Sequence, residues 1–155
     1  MKPDDVYSRR LVPLLVIDEG TKASPWFEGR TKLAKIVFLV RQLEPHSFWD
    51  VAGAGSDYDF VPHYYGPFSK ELLKDVELLE AEGLIEVHIE DLDSHGKISE
   101  YWYRPTLKGK KLLDTSILSQ GAAQRIRQLV AYYAPMTRSQ LVEYVYEKFP
   151  NFVPK

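Results

Sequence analysis

The chain has 155 residues, a formal net charge of −2 and no cysteine. That length suffices for one domain with its own core, and the missing thiols exclude disulfides, thiolate metal sites and cysteine nucleophiles together. Residues 1–60 carry 8 basic and 9 acidic side chains, 61–120 carry 7 and 11, and 121–155 carry 5 and 2, so no strongly basic segment announces a nucleic-acid-binding face.

Val6 to Asp18 is apolar enough for a first helix, which Pro13 kinks or delays. Its apolar run, Leu11 to Ile17, is too short to cross a bilayer and no small-residue cleavage site follows it. A cytoplasmic chain with no membrane partner is expected. TKASPWFEG, rich in Gly, Ser and Pro, reads as a loop. RTKLAKIVFLVRQL then places Leu33, Ile36, Val37, Val40 and Leu43 at helical spacing, with Thr31 as its cap and Lys32, Lys35 and Arg41 off the apolar stripe. Pro45 closes that helix. HSFWDVAGAGSD reads as irregular, and Pro62 restricts any strand in DYDFVPHYY to an edge.

The strongest helical signal runs from Ser69 to Glu82, where Leu72, Val76 and Leu79 share one face and Lys70 and Lys74 the opposite one. In YYGPFS before it, Gly66 permits an unusual backbone angle, Pro67 fixes the approach and Ser69 fits the N-cap. Gly83 stops the helix. LIEVHIE and ISEYWYRP, joined by the polar turn DLDSHGK, predict an antiparallel hairpin. Thr106 caps a further helix in TLKGKKLLDTSIL, and two more are expected at Ala122 to Tyr133 and Arg138 to Lys148. Thr137 with Gln140 forms a capping box for the last, and Pro150 ends it.

Helices, then a hairpin, then more helices predict an α+β, mostly helical fold: a winged-helix-like core over about 30–115 and a C-terminal helical extension over about 120–150, in one domain spanning 1–155. KLAKIVFLV, Phe60, YYGPFS, the leucine-spaced helix, EGLI and TLKGKKLL resemble the pattern shared by the YwgA-like proteins and the broader SocA-like "Panacea" antitoxin group. YVYEKFP, Tyr144 to Pro150, resembles the YwgA-like branch in particular. The resemblance implies a winged-helix-like fold and a regulatory or interaction role; SocA-like members are associated with toxin neutralisation, some as adaptors to proteolysis.

In a winged helix the helix before the wing reads the DNA groove. Here it carries Lys70 and Lys74 against Glu71, Asp75, Glu77, Glu80 and Glu82, which repel phosphate. With Lys97, Arg104, Lys108, Lys110 and Lys111, those two lysines form the candidate nucleic-acid set, weighed against a plain solvated surface. Asp91, Asp93 and Gly96 imitate a calcium loop, but Trp102 stands where its bidentate acid belongs. GAGSD is no nucleotide fingerprint, no catalytic constellation is evident, and neither a metal nor a small-molecule cofactor is expected. The aromatic load is more suggestive: Tyr64, Tyr65, Tyr132, Tyr133, Tyr144 and Tyr146 are the candidate partner-binding residues, for another protein or for self-association. The expected role is non-enzymatic regulation through protein recognition, antitoxin-like or as an adaptor, with DNA-binding transcriptional regulation as the alternative.

Overall fold

A computed structural model describes residues 8–43, 57–64, 66–95, 99–116 and 120–154. The first full helix, α1 (Leu11–Gly20), is apolar all round and buries every residue from Leu11 to Ile17; such a helix belongs in the middle of a core. Pro13 has no N–H to give the carbonyl of Arg9 four residues back. The Tyr58 hydroxyl, whose proton also faces Asp75, lies 3.2 Å from that carbonyl instead. The helix runs past Asp18 because Asp18 and Glu19 are bound by Arg127 at 2.9 and 3.4 Å, which anchors their end to a later helix. Among the described residues, no helix is long and apolar enough to cross a membrane.

The expected loop contains a two-residue strand, β1 (Phe27–Glu28). It leads into α2 (Arg30–Leu43) through Gly29 at φ +100°, whose carbonyl accepts from the Leu33 amide. Thr31 therefore lies inside the helix, and Gly29 takes the capping position. Leu33, Ile36, Val37, Phe38, Leu39 and Val40 are all buried. Lys35 and Arg41 are buried too, at 1% and 3% exposure, against the expectation that they lie off the apolar stripe; a helix packed on several sides has no outer face to spare for them.

β2 (Val61–His63) and β3 (Gly66–Phe68) form a separate two-stranded ribbon with Pro62 opposite Pro67. Proline has no N–H to give a ladder, which a ribbon with two outer edges tolerates. The ribbon ends at α3 (Lys70–Ala81), where the Ser69 side chain accepts from the Leu72 amide at 3.2 Å. Leu72, Val76 and Leu79 are buried as the periodicity predicts, and Asp75 lies among them. Gly83 turns the chain at φ +74°, the Leu84 amide bonds back to Leu79, and Leu84 and Ile85 enter the core.

β4 (Ile85–Asp91) and β5 (Ser99–Pro105) pair antiparallel over their whole length, from Ile85 opposite Pro105 to Asp91 opposite Ser99. β1 adds on the far side of β5, so the sheet order is β1–β5–β4. Thr106 then caps α4 (Leu107–Thr115) by accepting from the Gly109 amide, while its hydroxyl donates to the Gly83 carbonyl at 2.6 Å. Gly109 has to be a glycine: a Cβ there would lie 2.1 Å from the Leu84 carbonyl oxygen.

α5 (Gln120–Tyr133) and α6 (Arg138–Lys148) complete the helices, the latter started by the predicted capping box of Thr137 and Gln140. Pro150 opens a short 3-10 turn, Pro150–Phe152. Phe149 and Phe152 meet Phe38 edge-on at 5.0 and 4.8 Å, and Phe60 does so at 5.1 Å. One hydrophobic cluster extends from Leu11 through α2, α3 and the sheet to Val145. The fold is α+β and mostly helical, with α5 and α6 sharing that core.

Candidate functional site

The acids of α3 are largely spent inside the molecule. Arg9, itself buried, holds Asp75 at 2.9 Å and Glu71 at 3.3 Å, and Arg10 is paired with Glu82. Tyr58 donates to Asp75 at 2.8 Å and lies under the Arg9 guanidinium, 4.7 Å from its centre. Burial, with the Asp75 charge and hydrogen bond, holds the Tyr58 phenol well above its ordinary value. What α3 exposes is Lys70, Lys74, Glu77 and Glu80, two charges of each sign. The acidic face read from the sequence is thus balanced by two arginines from the chain preceding α1.

The candidate cations do not gather into one patch. Lys108 donates to the Glu82 carbonyl at 2.7 Å, at the C-terminal end of α3, whereas Lys70 opens the same helix. Twelve helical residues separate those ends by about 18 Å. Arg104 binds Glu86 through two nitrogens at 2.7 and 2.9 Å and stacks on Trp26 at 4.2 Å. Lys110 and Lys111 are exposed on α4. Lys97 lies outside the described residues, as do Tyr65, the GAG of GAGSD and Gly96 of the calcium-like loop.

The tyrosines divide. Tyr133 is in the core, its hydroxyl 3.0 Å from that of half-buried Tyr144, and burial followed by that bond raises its phenol above the ordinary value. Tyr132 is 63% exposed and meets Tyr133 edge-on. Tyr64, at the tip of the β2–β3 ribbon, is 80% exposed, and Val61, at the opposite end of the ribbon, is 51% exposed. The ribbon is held rather than loose: Tyr146 donates to the Tyr64 carbonyl at 3.3 Å, and the His63 ring lies 4.9 Å from Phe68.

Sequence reading missed Lys35. A Cβ on Gly66, at φ +105°, would stand 3.0 Å from the Lys35 Cε and 3.2 Å from its Nζ. The glycine of YYGPFS is therefore the wall against which a buried lysine lies. Burial pulls that ammonium down to about 8, and the Arg138 charge pushes the same way. The signal was present as a lysine embedded in KLAKIVFLV, but a polar residue on an amphipathic helix reads by default as outward.

The three-stranded sheet has one face on the core, marked by buried Phe27 and Tyr103, and one face outward. Glu28, Trp102 and His88 form one outward row; Arg104 with Glu86 and Glu100 with Glu90 form the rows on either side. Beside it lies a cleft of about 640 Å³ between the start of α2, the sheet and the α5–α6 turn, lined by Arg30, Lys32, Arg138, Glu28, Glu100 and Tyr101 among others. Arg30 covers the Tyr101 ring at 4.3 Å, and Lys32 donates to the Ala134 carbonyl. Among the described residues, no three His, Cys, Asp or Glu side chains converge as metal ligands. Scans of the chain against protein-family models, against curated proteins and against solved structures each find no match.

Proposed function

We propose that the protein is a non-enzymatic regulatory protein of winged-helix type, related to the YwgA-like and SocA-like group, that works by recognising another protein as an antitoxin-like or adaptor module. The winged-helix reading draws on the order α1, β1, α2, β2, β3, α3, β4, β5 and on the strand order β1–β5–β4, with the hairpin after α3 taken as the wing. The observation that carries the protein-recognition reading is the ribbon tip: Tyr64 stands 80% exposed on a segment braced by Tyr146. An amphipathic ring presented on a pre-ordered support loses little conformational entropy on binding. Arg104 and Lys108, two cations a DNA reader would aim at phosphate, are instead bonded to Glu86 and to the Glu82 carbonyl.

Co-expression with the products of the genes flanking its own tests this reading. One product is expected to co-purify with the native chain and to be lost from Tyr64→Ala; capture by neither, or capture indifferent to Tyr64, overturns it. Transcriptional regulation keeps one support, the balanced face bearing Lys70 and Lys74. Retarded migration of a generic duplex at about 50 mM salt and micromolar protein, lost on Lys70→Glu/Lys74→Glu, would favour it.

A further inference from the structure

We propose that the outward face of the β1–β5–β4 sheet docks an arginine- or lysine-rich extended segment of a partner protein. The proposal rests on the protein-recognition reading and supplies the partner's chemistry. Across the outward rows the sheet presents Glu28, Glu86, Glu90 and Glu100 against the single guanidinium of Arg104, which Glu86 already engages. Glu90 and Glu100 stand directly opposite one another, a like-charge pairing that destabilises a sheet unless a cation relieves it. The hydrogen bond with Glu28, then desolvation and the Glu28 charge, raise the Glu100 carboxyl, and the Arg138 charge opposes them in part.

The rest of the face suits the same ligand. Trp26 and Trp102 are both partly exposed, and Trp26 already stacks one guanidinium, that of Arg104, at 4.2 Å. Indole faces and carboxylates together are what hold guanidinium and ammonium groups. Among the described residues β4 is the terminal strand in the sheet order, so an extended segment laid beside it meets a strand edge as well as Glu86, His88 and Glu90 pointing outward at alternate positions. Phosphate backbones are repelled by the same four carboxylates.

The test is fluorescence anisotropy of a labelled decapeptide of alternating arginine and glycine, titrated with the full chain. Salt-sensitive binding is expected, weakened about tenfold by Glu90→Gln/Glu100→Gln and about threefold to fivefold by Trp26→Ala. The control Glu77→Gln/Glu80→Gln removes two exposed acids from α3 and is expected to change affinity less than about twofold. Thermal melts of the glutamine variants confirm that they fold. No binding, equal weakening by control and sheet variants, or displacement of the peptide by duplex DNA each overturns the proposal. Failure here leaves capture through Tyr64 standing, so the two readings fail separately.

Discussion

At the scale of single residues, Lys35 and Gly66 make the sharpest predictions. The Lys35 ammonium titrates near 8 in the folded chain and near 10.5 when unfolded. Between those values the unfolded state binds more protons, so stability rises with pH through the window and is lowest below it. Urea unfolding at pH 7 and 9.5 should show the native chain gaining about 2 kcal/mol over Lys35→Met across that interval, at 1.36 kcal/mol per pH unit. A difference that stays flat would contradict the burial of this charge. Gly66→Ala has to adopt φ +105° and crowd Lys35, which should cost about 1–3 kcal/mol, read as a lowered urea midpoint. The sequence reading assigned Gly66 its unusual backbone angle correctly, because glycine is the residue that tolerates it. The burial of Lys35 was harder to read than its apolar setting in KLAKIVFLV suggests, because it depends on a contact with Gly66, some thirty positions away.

At the scale of elements, the junction of α1, α3 and the segment around Tyr58 adds buried polar contacts to the apolar core. Asp75→Ala leaves the buried Arg9 with Glu71 alone and should destabilise by up to about 3 kcal/mol, read as a lowered urea midpoint. Tyr58→Phe removes the hydroxyl whose one proton lies between Asp75 at 2.8 Å and the Arg9 carbonyl at 3.2 Å, at about 1–3 kcal/mol. Because Pro13 is what frees that carbonyl, Tyr58→Phe should cost less in a Pro13→Ala background; a double-mutant cycle by urea unfolding measures the coupling, and strict additivity would refute the link. Element types and starts were legible wherever a local signal fixes them, as with Ser69, Thr106 and the Thr137–Gln140 box. β1 was not, because two residues have no period; Phe27 and Glu28 become a strand only by pairing with Tyr103 and Trp102. Thr31 looked like a cap by residue type, but the bond from Gly29 to Tyr101 places the helix start two positions earlier than a threonine cap requires.

At the scale of the whole molecule, the sequence revealed the balance of charge but not its distribution. Five acids on α3 read as a repulsive face, yet Glu71, Asp75 and Glu82 answer to Arg9 and Arg10, and the sheet carries a second set of exposed acids at Glu28, Glu86 and Glu90. The candidate tyrosines were legible as a group, and only packing separates exposed Tyr64 and Tyr132 from Tyr133 in the core. The central claim is recognition of a protein through a braced, exposed ribbon tip. Its most direct test is calorimetric titration of the co-purifying flanking-gene product into the native chain and into Tyr64→Ala. The account predicts saturable binding to the native chain, weakened at least tenfold, about 1.4 kcal/mol, by the substitution. Equal affinity for both proteins would contradict it.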